Sequence, residues 1–186
     1  MKLRHWLAAG ACLWIGSAQA LTLAADGQWA TFDVDELSAA SGDLEWIDLF
    51  NGGAALSFDF VVPVGFVGAL TVVDGGFAGD RFLVTNGNLL LGRSSLPLAS
   101  YPDSVGLDFD AALADPAYSR GSFTLGAGSH SISGFLIRSA AADGIPLNAT
   151  VGAVRLEVSA VPEPSKLLTL LAGIGVIGFT IRRRLP

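Results

Sequence analysis

Leu56-Ser57-Phe58-Asp59-Phe60-Val61-Val62 decides the fold. Side chains of a strand point alternately to its two faces. Leu56, Phe58, Phe60 and Val62 therefore share one face, and Ser57 and Asp59 lie on the other. Outward from this run the chain is punctuated every 8–12 residues by Gly, Asn, Asp or Pro, the spacing of an all-β sandwich or barrel. Trp29 to Val34 and Leu44 to Phe50 read as early strands, and Ala69 to Val73 follows Val64-Gly65. Arg81 to Thr85 and Asn88 to Leu91 flank Asn86-Gly87, a two-residue hairpin signal because a type I′ turn needs positive φ at both positions. Ser122 to Leu125 and Ser129 to Arg138 flank Gly126-Ala127-Gly128 and read as a second hairpin. Val154, Leu156 and Val158 mark one face of a late strand, and Asp110 to Tyr118 holds a short helical turn that Asp115-Pro116 ends. About eight strands over this length predict a single jelly-roll-like antiparallel β-sandwich.

The two ends of the 186-residue chain read as addresses. Residues 1–20 have the form of a secretory signal peptide: Lys2 and Arg4, then a short apolar run from Trp6 to Ile15, then Ala18-Gln19-Ala20 as an A-x-A cleavage site. The apolar run is shorter than the 18 or so residues a spanning helix needs. Cleavage after Ala20 also removes Cys12, the chain's single cysteine, so neither a disulfide scaffold nor a multi-cysteine metal site is available.

Residues 161–186 begin with Val161-Pro162-Glu163-Pro164, continue through the charge-free stretch Leu167 to Ile181, and close on Arg182-Arg183-Arg184-Leu185-Pro186. As a helix, that stretch is about 22 Å long, a short transmembrane span that Lys166 and Arg182 extend by snorkelling. The positive-inside rule puts Arg182, Arg183 and Arg184 in the cytoplasm as an anchor and the preceding domain outside. Proline on both sides keeps Glu163 in an extended segment that a processing enzyme can grip.

The order of Pro162-Glu163-Pro164, apolar helix and Arg cluster resembles the PEP-CTERM sorting signal. That resemblance implies a Gram-negative protein whose partners are the Sec translocon, signal peptidase and exosortase, an integral-membrane transpeptidase. It implies transient anchoring in the inner membrane, then a place at the cell surface or in the extracellular matrix. It also implies an association with exopolysaccharide and biofilm. Glu163 and its prolines are then recognised by another enzyme. A plain C-terminal membrane anchor is the alternative. The segment Thr71-Val72-Val73-Asp74 through Gly79-Asp80-Arg81-Phe82 to Gly92-Arg93-Ser94-Ser95, with Asp115 to Ile132, resembles an uncharacterised extracellular β-domain of other such proteins. This resemblance implies a fold and no reaction.

Residues 21–160, the passenger, hold five Arg, no Lys and sixteen Asp or Glu, a formal charge of −11 against −6 for the whole chain. Such a surface argues against nucleic acid as a partner. His130 is the passenger's single histidine, no Gly-x-Ser-x-Gly elbow is present, and neither a Cys–His dyad nor a His-based zinc site can be built. The sequence therefore predicts no enzyme and no catalytic residue, and a structural, adhesive or carbohydrate-binding role. A secreted polysaccharide-acting enzyme and a calcium-dependent binding module are the alternatives. No resident cofactor is expected, with calcium as the exception, since carboxylates and loop carbonyls suit a hard cation. Its candidate ligands are Asp74, Asp80, Asp108 and Asp110. The i, i+2 pairs Asp33/Asp35 and Asp108/Asp110 are expected to project from one face of a strand, which also reads as a solvated outer face. Tyr101 and Tyr118, both in Pro-containing loops, are expected to be exposed sugar contacts, whereas Trp29 and Trp46 read as core.

Overall fold

The computed structural model describes residues 18–35 and 44–161. Its strands in chain order are β1 (Gln19–Thr22), β2 (Ala30–Val34), β3 (Ile47–Asp48), β4 (Ala54–Val62), β5 (Phe66–Asp74), β6 (Gly76–Phe77), β7 (Arg81–Asn86) and β8 (Leu89–Arg93). These are followed by β9 (Ser104–Gly106), helix α1 (Phe109–Ala114), β10 (Arg120–Leu125), β11 (Gly128–Arg138), β12 (Ala141–Ala142), β13 (Ile145–Pro146) and β14 (Thr150–Ala160). One layer runs β1-β4-β11-β7-β8 and the other β10-β5-β14-β2-β3, and β3 also pairs with β4, so that the two layers form one curled path. The far ends of that path approach each other where Ser95 N donates to Arg120 O at 2.8 Å. The domain is thus all-β, mostly antiparallel, and arranged as a sandwich closing toward a barrel.

The deciding run forms β4 as the alternation requires: Leu56, Phe58, Phe60 and Val62 are buried and Val61 is exposed. Its inner face meets Leu70, Val72, Val154 and Leu156 from β5 and β14. Each such side chain contributes roughly 1.5–3 kcal/mol on leaving water. At the centre Trp46 stacks on Phe32 at 3.9 Å between centroids, with Phe82 edge-on to both. Gly134 makes room for this stack, because a Cβ there would lie 2.6 Å from the Trp46 ring. A smaller cluster of Val73, Ala78, Phe109, Ala112, Tyr118 and Ala153 packs α1 against the outer side of β5 and β14.

Four expectations need correction. The sheet is not wholly antiparallel: β1 runs parallel to β4, with Gln19 opposite Leu56 and Thr22 opposite Asp59. The Asn86-Gly87 hairpin forms, with β7 and β8 paired and Gly87 at φ 54°. The turn at Gly126-Ala127-Gly128, in contrast, is no hairpin. β10 pairs with β5 and β11 with β4 and β7, so this turn carries the chain from one layer to the other. Phe123 and Leu125 can then face Ile132 across the core rather than beside it. The early strand at Leu44–Phe50 shrinks to Ile47–Asp48, because the Asp48 carboxylate accepts from Phe50 N and Asn51 N and turns the chain into a single 3-10 turn. Finally, Asp108 and Asp110 do not lie on a strand. Asp108 caps α1 by accepting from Ala111 N at 3.0 Å, and Asp110 lies in the helix's first turn.

Ala18 and Ala20 lie at the entry to the domain, and the expected cut after Ala20 falls inside β1. β14 reaches Ala160, the expected end of the passenger. Among the described residues no helix is long and apolar enough to cross a membrane. The expected helix at 167–181 lies outside them, as does most of the signal peptide.

Candidate functional site

Alternation along two strands of opposite layers brings two carboxylates to one end of the sandwich interior. Leu70, Val72 and Asp74 form an inward row on β5, and Asp80, immediately before β7, continues the facing row of Phe82 and Val84. Asp74 is 0% exposed and Asp80 1%. The loop between them is drawn tight by glycine. A Cβ on Gly75 would lie 2.7 Å from the Phe109 ring, and one on Gly79, at φ 150°, would lie 2.7 Å from Ala140 Cα.

The Asp74 Oδ2 atom accepts from Gly79 N and Asp80 N, each at 3.2 Å, which folds the loop back onto the side chain. The Asp80 Oδ1 atom accepts from Ala140 N and so pins the 140 segment to the same point. Asp74 N donates to Ser119 O at 2.9 Å. Two further buried hydroxyls continue the polar belt: Ser119 Oγ donates to Ser94 Oγ at 3.0 Å, and Ser94 Oγ accepts from Phe82 N at 2.8 Å. One atom is left over. Asp74 Oδ1 is buried and has no hydrogen-bond partner. Burial, then the charge of Asp80, push Asp74 up to about 9, against the pull of the N–H groups of Gly79, Asp80 and Gly75.

The four candidate calcium ligands are thus divided. Asp74 and Asp80 come together, whereas Asp108 is occupied as a helix cap and Asp110 is exposed. The Asp110 Oδ1 atom accepts from Trp29 Nε1 at 3.0 Å and Arg155 Nη1 at 3.2 Å, and the guanidinium lies 4.5 Å from the Trp29 ring centre. The two tyrosines are divided as well. Tyr101 is 52% exposed and lies 5.3 Å from Phe77. Tyr118 is 2% exposed, a correction to its expected place on the surface. Its hydroxyl donates to Gly76 O at 2.9 Å and accepts from Val105 N at 3.1 Å, so the ring fills the small cluster while its polar tip closes the β6–β9 loop. Pro162, Glu163, Pro164, Arg182, Arg183 and Arg184 lie outside the described residues.

His130 lines a shallow groove of about 780 Å³ with Thr22, Asp59, Asn86, Ser129 and Ser131. With its proton on Nε2 the ring donates to Gly126 O at 2.9 Å and accepts at Nδ1 from Asn86 Nδ2 at 2.9 Å. Asn86 Oδ1 in turn accepts from Ser131 N, and Ser131 Oγ donates to Asp59 Oδ1 at 2.6 Å. Both ring nitrogens are engaged, and the side chain serves as a brace between β11 and the Asn86-Gly87 turn. The sequence did not signal this network, because its members lie on three strands.

Residues 160–184 match the PEP-CTERM protein-sorting motif. The chain therefore carries a sorting signal for exosortase, which implies export and membrane anchoring through that signal. No curated protein matches the chain. Among solved structures it is similar to the pre-peptidase C-terminal domain of a collagenase from Bacillus anthracis, with 8% identity, a TM-score of 0.37, and 76% of this chain and 95% of that chain covered.

Proposed function

We propose that this protein is a non-enzymatic structural or adhesive component of the cell surface or exopolysaccharide matrix of a Gram-negative bacterium. In this reading it passes the Sec translocon and is cut by signal peptidase after Ala20. The helix at 167–181, with Arg182, Arg183 and Arg184 in the cytoplasm, then holds it until exosortase acts at Pro162-Glu163-Pro164. The sorting motif at residues 160–184 carries this reading. In the domain in front of it, the passenger's single histidine, His130, is bonded at both ring nitrogens and braces the groove wall. Carbohydrate has two places to bind on this surface: the hydroxyl-lined groove at Asp59, Asn86 and Ser131, and the exposed ring of Tyr101. The charge of −11 disfavours bare anionic polysaccharide and favours neutral chains or cation-bridged ones.

Fractionation of cells expressing Glu163→Ala tests the sorting step. The variant passenger stays with the membrane while the wild type is released, and equal release of the two overturns the reading. A glycan array with the released protein tests the binding role, and an array without signal counts against carbohydrate recognition.

A further inference from the structure

We propose that Asp74 and Asp80 form a binding site for a hard divalent cation of the calcium type, which ties the two layers of the sandwich together. The site is independent of the sorting signal and of any carbohydrate contact. Three observations carry it. The two carboxylates enter from different layers, Asp74 at the end of β5 and Asp80 immediately before β7, and both are buried. Both are sealed from solvent, where a polar atom without a partner is costly. Asp74 Oδ1 is buried and unpartnered, although the same side chain's other oxygen holds two N–H groups.

Arg81, next to Asp80 in the chain, gives its Nε to Ser94 O at 3.0 Å. A hard cation takes carboxylate and carbonyl oxygens in irregular numbers, the ligand types that a glycine-rich acidic loop supplies. Among the described residues no third Asp, Glu, His or Cys joins the pair. The ion would therefore have two charged ligands and complete its shell with neutral oxygens. The strongly acidic domain around it raises the local concentration of divalent cations.

The test is thermal unfolding of the full-length protein in detergent, with calcium, with magnesium and with chelator, alongside calorimetric titration of the chelator-treated protein with calcium. An ion bound only by the folded chain raises Tm, by about 5–10 °C at calcium ~100-fold above Kd. One calcium per chain is expected by calorimetry. Asp74→Asn keeps a carbonyl oxygen for Gly79 N and Asp80 N, so it folds but loses the calcium response. Asp110→Asn, on the exposed helix, keeps the response. A wild type with no calcium-dependent Tm and no titration heat overturns the site, as does a response that persists undiminished in Asp74→Asn. Should that variant fail to fold, Asp80→Asn takes its place: it keeps a carbonyl oxygen for Ala140 N, and a calcium response that persists undiminished in it overturns the site.

Discussion

The centre of the sandwich interior and its acidic end are buried by different rules. At the centre Phe32, Phe58 and Phe82 pack by shape around Trp46, whose Nε1 is the one polar atom that the stack buries without a partner. At the acidic end Asp74, Asp80, Ser94 and Ser119 are sealed to the same degree, but every polar atom there needs a partner. The apolar centre tolerates volume-conserving apolar replacements at a cost below about 1.5 kcal/mol. The polar end tolerates only a particular set of hydrogen bonds, and one atom of that set, Asp74 Oδ1, is unmet. Stability resides in the first region, and dependence on solution conditions resides in the second.

The comparison breaks most visibly at its centre. Trp46→Ala empties the largest fully buried side chain and costs about 3–5 kcal/mol, enough to threaten the fold of a domain this size. Denaturant unfolding measures it. Gly134→Ala attacks the same stack from the opposite direction, since the new methyl meets both the Trp46 ring and the Leu83 carbonyl. Overpacking of this kind costs about 1–3 kcal/mol. Both variants should lose stability equally at pH 5 and pH 8, because no titratable group takes part.

The polar end should behave in the opposite way. Asp74 is raised from 3.8 to about 9 in the folded state. The folded chain therefore holds a proton that the unfolded chain has released over that range. This contribution to stability is fully present below pH ~4 and is lost as the pH rises toward about 9. In chelator, Tm of the wild type should fall steadily across this window, and Asp74→Asn should flatten the profile and exceed the wild type at its alkaline end. A wild-type profile that rises from pH 5 to pH 8 would show that other carboxylates dominate.

The two regions also differed in how much of them the sequence revealed. The apolar alternation of β4 and of Val154, Leu156 and Val158 was legible because burial of one face leaves a period-two trace. The same parity, extended by one step, places Asp74 in line with Val72 and Asp80 in line with Phe82. The inward direction of both carboxylates was therefore present in the chain. That they meet was not, since it depends on β5 and β7 belonging to different layers. The turn at Gly126 to Gly128 was misleading for the same reason. Turn chemistry specifies that the chain reverses, and only the pairing of β11 with β4 and β7 decides into which layer it goes. Tyr118 was read as exposed because its loop contains proline. Its burial follows from a small apolar cluster built from residues far apart in sequence.

Asp108 and Asp110 give the smallest predicted effects and the finest comparison, because two neighbouring acidic residues of one helix should differ in a measurable way. Asp108 satisfies an otherwise unpaired helix N–H at Ala111, so Asp108→Ala should cost about 0.5–2 kcal/mol. Asp110 carries its ion pair to Arg155 on a side chain that is 74% exposed, where solvent screens the attraction. Asp110→Ala should cost about 0–1 kcal/mol, and the loss should shrink further in high salt. Part of what remains is the hydrogen bond from Trp29 Nε1, which salt does not weaken in the same way. Unfolding of both variants at low and high ionic strength separates the two contributions. Equal losses at both positions would mean that Asp110 holds Trp29 and Arg155 in place more firmly than its exposure implies.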